Sequence, residues 1–135
     1  MEKAKIFISV LLDSAILLAF SIQREHERSD YSSIEWIKTE HDFGKIKQNI
    51  PVTAEFEFKN NSMIPLVIVS VEPQCGCTVA DYPKEPVKYD KKGVISVLFD
   101  AGNTGYFQKS VSVLTNTEQG TATLIIKGEV VTSSE

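Results

Sequence analysis

The sequence predicts an all-β chain, an antiparallel sandwich of about seven strands preceded by an N-terminal hydrophobic segment. Three observations predict it. From Ile34 onward apolar and polar residues alternate, and no stretch carries a convincing helical period. Turn-forming clusters (NNSMIP, YPKEP, YDKKG, AGNTG, NTEQG) interrupt the runs at short intervals. The patterned span is about a hundred residues, the length at which such punctuation gives an immunoglobulin-like sandwich. A barrel is the alternative architecture. No distant cysteine pair brackets the lone Trp36, so the hallmark of antibody domains is missing.

The first 22 residues stand apart from this pattern. MEKAK is a short, mildly basic start, and Ile6–Ile22 (IFISVLLDSAILLAFSI) is almost wholly apolar. A secretory signal peptide has this form, with Ala19-Phe20-Ser21 as a small-x-small cleavage site. An uncleaved membrane anchor is the competing reading, because the run is at the short end of what spans a bilayer. A buried helix is the third, since Asp13 sits mid-run. Residues 23–33 are polar and without period, and read as a tether. The sandwich is expected over 34–131, with 132–135 as a tail.

The strands follow in order. Pro51–Asn60 (PVTAEFEFKN) points Val52, Ala54, Phe56 and Phe58 one way and Thr53, Glu55, Glu57 and Lys59 the other, a half-buried strand. Pro65–Glu72 (PLVIVSVE) is continuously apolar, as expected of a central strand covered on both faces. Gly93–Asp100 places Ile95, Val97 and Phe99 on one face. In Tyr106–Thr115, Val111 and Val113 share a face with Phe107 but also with Lys109, a conflict that a bulge or an edge position would resolve. Thr121–Val130 aligns Ala122, Leu124, Ile126, Gly128 and Val130.

HDFGKI (His41–Ile46), FEFKNNS (Phe56–Ser62), PLVIVSVEPQCGCTVADYP (Pro65–Pro83), GVISVLFDA and GYFQKSVSVLTN occur in that order. Together they resemble the bacterial domain-of-unknown-function-1573 family over roughly Ile34 to Val131. The most specific element is Cys75-Gly76-Cys77-Thr78 after an apolar strand, supported by Asp42-Phe43-Gly44. The resemblance implies a secreted or envelope protein with an immunoglobulin-like sandwich, similar to major sperm protein and pilus-chaperone domains. It implies no chemistry, because the family's activity is unknown. Tyr89-Asp90 stands where many relatives carry Pro-Gly, and Asn60-Asn61-Ser62 where they carry Asn-Thr-Gly; both are turn substitutions.

Composition narrows the function classes. The net charge is −4 and the lysines are scattered, which argues against nucleic acid as a partner. Asp42-Phe43-Gly44 matches the kinase magnesium triplet in letters only, since no glycine-rich loop or catalytic loop accompanies it; Phe43 is expected in the core and Gly44 in a tight turn. His26 falls in the tether and His41 starts a strand, so neither is placed as a base on a cysteine. Zinc needs more ligands than Cys75 and Cys77 supply. Copper(I) is the weaker metal alternative, with two soft thiolates but no methionine close in sequence.

Redox chemistry is the remaining option for Cys75 and Cys77. In an oxidising compartment unpaired thiols tend not to persist, and Gly76 relaxes the backbone between them. Exchange catalysis also needs a cation or helix N-terminus to lower a thiol pKa. Gln74, Thr78 and Val79 supply neither. The expectation is therefore a compact strand-to-loop corner, bridged or reduced, with Gly76 at an unusual backbone angle and Thr78 beside it. The resulting reading is an exported, non-enzymatic envelope module for protein interaction or assembly, without a cofactor. Its partner would be an envelope protein, joined by strand addition at a sheet edge as the fold analogy suggests. Membrane contact would run only through residues 6–22, if these are retained. The alternative is a thiol–disulfide redox or copper-handling protein acting through the C-G-C pair.

Overall fold

A computed structural model describes residues 30–132. The apolar segment 6–22 and His26 lie outside the described residues. Eight strands follow one another: β1 (Ile34–Trp36), β2 (Glu40–Lys47), β3 (Val52–Asn60), β4 (Ile68–Pro73), β5 (Thr78–Asp81), β6 (Lys92–Phe99), β7 (Gly105–Thr115) and β8 (Thr121–Val131). They form two four-stranded sheets, β1-β3-β6-β5 and β2-β8-β7-β4. Between them lies a core of Ala54, Phe56 and Phe58 from β3, Ile95, Val97 and Phe99 from β6, Val111 and Val113 from β7, and Leu124, Ile126 and Val130 from β8. These are the faces that the alternation assigned, and burying each large side chain stabilises the fold by about 1.5–3 kcal/mol.

Pairing is antiparallel with one exception: β2 runs parallel to β8. Alternation within a strand fixes which face is buried and is silent about which neighbour lies alongside. The chain crosses between sheets after β1, β2, β3, β4 and β6, and the crossing after β1 brings β2 alongside the C-terminal strand.

Two strand expectations change. β4 is an edge strand, not a central one. Its continuous apolar run reflects a register shift between Ile68 and Ser70, which turns Val69 outward to 53% exposure. Leu66 and Ile68 are buried before the bulge and Val71 packs on the core after it, so two inward phases are spliced into one apolar string. The Lys109 conflict is resolved without a bulge in the β7–β8 ladder, which is continuous from Gly105 to Leu114. β7 outruns β4, whose pairing ends at Pro73 opposite Val111, so the strand has an open margin at Lys109.

The sandwich has two distinguishable ends. At the end where the chain enters, Ser32 is buried and bridges to Thr117, so ordered contacts begin before Ile34. At the far end, the β4–β5 corner, the 47–52 connection and the 100–105 connection come together: Asp100 N donates to Cys77 O (3.2 Å) and Asn49 N to Ala101 O (2.9 Å).

Candidate functional site at the Cys75–Cys77 corner

The corner is where the chain leaves one sheet for the other. β4 ends in the sheet that holds β7, and β5 begins in the sheet that holds β6. Pro73 at the end of β4 cannot donate a further ladder hydrogen bond, which helps close the strand there. Gln74 keeps hold of β7: its N donates to Ser110 O (3.0 Å), and its Oε1 accepts from Ser110 Oγ (3.2 Å). Cys77 holds the other side through its carbonyl, which accepts from Asp100 N. Thr78 N donates to Cys75 O (3.3 Å), closing the turn, and its buried side chain places Oγ1 3.9 Å from each sulfur.

Cys75 and Cys77 are bonded to each other, with their Cα atoms 5.4 Å apart. Both are half-buried, and Cys77 packs against the core. The question that the sequence left open therefore has a definite answer in this structure. Bonded sulfurs are not thiolates, so a copper ion would require reduction first. Among the described residues no group of three His, Cys, Asp or Glu side chains is arranged to hold a metal.

Gly76 does not have the conformation expected of it. The glycines at positive φ are Gly44, Gly105 and Gly120, and a Cβ at Gly76 would meet open space. Neither the backbone angle nor a close approach requires glycine there. Gly76→Ala should accordingly keep the bond and change unfolding stability by less than about 0.5 kcal/mol, measured as the urea midpoint of the oxidised protein. A loss several times larger would mean that the corner depends on glycine.

The other sequence-selected residues lie elsewhere. His41 is on β2 and the cysteines adjoin β4, the two opposite edges of one sheet. Three strand spacings, roughly 14 Å, separate those edges, so no Cys–His dyad forms. His41 instead accepts a hydrogen bond at Nδ1 from Lys38 Nζ (2.7 Å), which requires a neutral ring. Its pKa is held below the usual histidine value by burial and then by the Lys38 charge, with Asp42 opposing. Phe43 packs against the core as the sequence suggested. Gly44 (φ 64°) serves a β-bulge between Asp42 and Lys45, not a chain-reversing turn, and its N donates to Asp42 Oδ1 (2.8 Å).

Sequence reasoning missed one cluster entirely. Asn60 is fully buried at the end of β3, donating from Nδ2 to Ile64 O (2.9 Å) and Val87 O (2.8 Å), while Oδ1 accepts from Ser62 N (2.8 Å). Ser32, assigned to the tether, reaches the same place, with Oγ 2.9 Å from Ile64 O. Buried polar residues have no periodic signature, and NNS read simply as a turn.

The model of the family described as "Protein of unknown function (DUF1573)" matches residues 34–130. A structure of a protein of unknown function from Porphyromonas gingivalis W83 superposes with a TM-score of 0.64 at 18% identity, over 73% of this chain and 46% of that one. A PapD-like domain of human CEP192 superposes at 0.60 and 9% identity, over 84% and 95%. The Vibrio cholerae VesB protease structure does so at 0.59 and 14%, over 74% and 32%. At these identities the likeness is one of fold, and the chain spans less than half of the P. gingivalis and VesB chains. No curated protein matches the sequence. The chain belongs to the DUF1573 family.

Proposed function

We propose that this DUF1573 family member is an exported, non-enzymatic module of the cell envelope that binds a protein partner by adding an extended partner segment to the free edge of β5. The observation that carries this reading is the character of the sheet edges. β2 is bulged and lined with Glu40, Asp42, Lys45 and Lys47; β4 is bulged and ends in Pro73; β1 spans three residues. Charges, bulges and prolines are the devices that block edge pairing. β5 (Thr78–Asp81, four residues) has no bulge, lysine or proline, carries one charge at its last residue, Asp81, and pairs on one side only, with β6. The bonded corner holds its first residue. Export is supported by the apolar N-terminal segment and by a disulfide of the kind that persists in oxidising compartments.

Adjacent residues of an antiparallel strand send their N–H groups to opposite sides. Of Ala80→Pro and Asp81→Pro, one therefore removes a donor to β6 and the other a donor on the free edge. The first should lower stability by about 1–3 kcal/mol, and the second should leave the melting temperature nearly unchanged while abolishing capture of the envelope partner. Equal capture by the stable variant and the parent chain would sink edge addition.

A second reading, thiol–disulfide exchange, is favoured by the bond itself. Against it, the described residues form no helix whose N-terminus would stabilise a thiolate, and His41 is on the opposite edge. The Cys75→Ser, Cys77→Ser variant should lose about 1–2 kcal/mol, as expected from closing so short a loop, and retain partner capture well below its melting temperature. Loss of a measurable exchange activity without unfolding would establish the redox reading instead.

A further inference from the structure

We propose that the outer face of the β2-β8-β7 sheet, around Tyr106, is a binding site for a neutral saccharide. The site is built by the Asp42-Phe43-Gly44 motif, which the interaction reading leaves unused. In a regular strand, residues three apart point to opposite faces. The bulge inserts one extra residue, so that Asp42 pairs with Lys127 and Lys45 with Glu129, three steps on β2 against two on β8. Phe43 and Ile46 accordingly both pack on the core, while Asp42 and Lys45 are both exposed. Gly44 has the left-handed conformation that such a bulge uses.

The consequence is an ordered array of side chains. β7 continues the same two rows, with Tyr106 opposite Glu129 and Gln108 opposite Lys127. One row is therefore Lys45, Glu129, Tyr106 and the next is Asp42, Lys127, Gln108. All six line a cleft of about 480 Å³, within the ~300–1,000 Å³ range of small-molecule sites. Its floor includes Gly44 and Gly128. A Cβ on Gly128 would lie 2.8 Å from Gly44 O and 3.0 Å from the Phe107 ring, so β2 and β8 approach there as only glycine allows.

The chemistry of the array selects the ligand class. Two carboxylates and two ammonium groups alternate across it, with Glu40 ion-paired to Lys127 at the rim, so a ligand of either net charge meets repulsion as well as attraction. A polyhydroxylated neutral ligand does not. Its hydroxyls donate to Asp42 and Glu129, accept from Lys45 and Lys127, and do both with Gln108. Among the described residues, Lys45, Gln108, Glu129 and Tyr106 have no side-chain hydrogen bond or ion pair, while Lys127 is paired with Glu40 at the rim. Tyr106 is 86% exposed, a large apolar ring left in water at the cleft mouth. A rigid aromatic face of this kind gives contact area at low entropic cost, and the apolar face of a sugar ring suits it.

The full chain is titrated calorimetrically with a panel of short neutral oligosaccharides built from glucose, mannose, galactose and N-acetylglucosamine. At least one should bind saturably, with an affinity that changes little from low to high salt. Tyr106→Ala should weaken binding about tenfold or more at unchanged thermal stability, and Tyr106→Phe should retain it. Failure of the whole panel to bind overturns the proposal. So does affinity that collapses with salt, which would indicate a charged peptide or other ionic ligand, or affinity indifferent to Tyr106→Ala.

Discussion

Replacing Asn60 by alanine should destabilise the domain by about 3–4 kcal/mol, read as a shift of the urea midpoint followed by Trp36 fluorescence. Three short hydrogen bonds of the buried Asn60 side chain are lost together, with a longer one from Ser32 Oγ (3.4 Å). Ile64 O keeps the Ser32 hydroxyl, and Val87 O keeps the donation from Leu66 N, so neither carbonyl is wholly stranded. Ser62 N loses the side-chain acceptor that holds it. The cost is therefore three net hydrogen bonds of roughly 1 kcal/mol each plus a small cavity, not three full desolvation penalties. Asn60→Asp isolates the hydrogen-bond component at equal volume. Its second oxygen would face the two carbonyl oxygens that Nδ2 now serves, which pushes the carboxyl's folded pKa above its unfolded value. That variant should be at least as damaged at neutral pH and recover partly as acid protonates the carboxyl. An alanine variant within 1 kcal/mol of the parent, on the scale of a single surface hydrogen bond, would show that the clasp does not hold this end of the sandwich.

Much of the fold was legible because burial in a sheet has period two. Phe56 and Phe58, Ile95 and Val97, and Leu124 and Ile126 are inward for the reason the alternation gave. What alternation does not encode was misread or missed. The parallel β2–β8 pairing depends on which neighbour the chain reaches after crossing sheets. β4 looked central because a bulge spliced two inward phases. The corner at Cys75 and Cys77 was located correctly, yet the sequence offered no way to say whether the sulfurs bond. It also assigned Gly76 a conformation that the backbone does not adopt. Asn60 and Ser32 gave no signal, since a polar residue at a strand end is usually in water. The DFG motif was placed in the core and at a tight bend; its bulge, which turns Asp42 and Lys45 to one face, became visible only with β8 alongside.

Gly93 illustrates how a contact decides the sign of a substitution. It reads equally as the end of the YDKKG turn or the start of a strand, and it lies within β6, directly opposite Phe58. On general grounds Gly→Ala in a strand should help, by about 0.4–1 kcal/mol, because alanine has fewer unfolded conformations to lose. Here the added Cβ would run into Phe58 Cζ and lie 2.9 Å from Cε2. Phe58 is fully buried, with Trp36 packed on it at 5.4 Å between ring centroids, so the ring has nowhere to go. Overpacking of this kind costs about 1–3 kcal/mol and outweighs the entropic gain. Gly93→Ala should therefore be destabilising by about 2 kcal/mol in urea unfolding. Phe58→Leu alone should also destabilise, through the space it vacates. In the double variant the alanine methyl occupies part of that space, so the combined loss should fall short of the sum by about 1 kcal/mol or more. Simple additivity, or a stabilised Gly93→Ala, would mean that the Phe58 ring does not rest on Gly93 in solution.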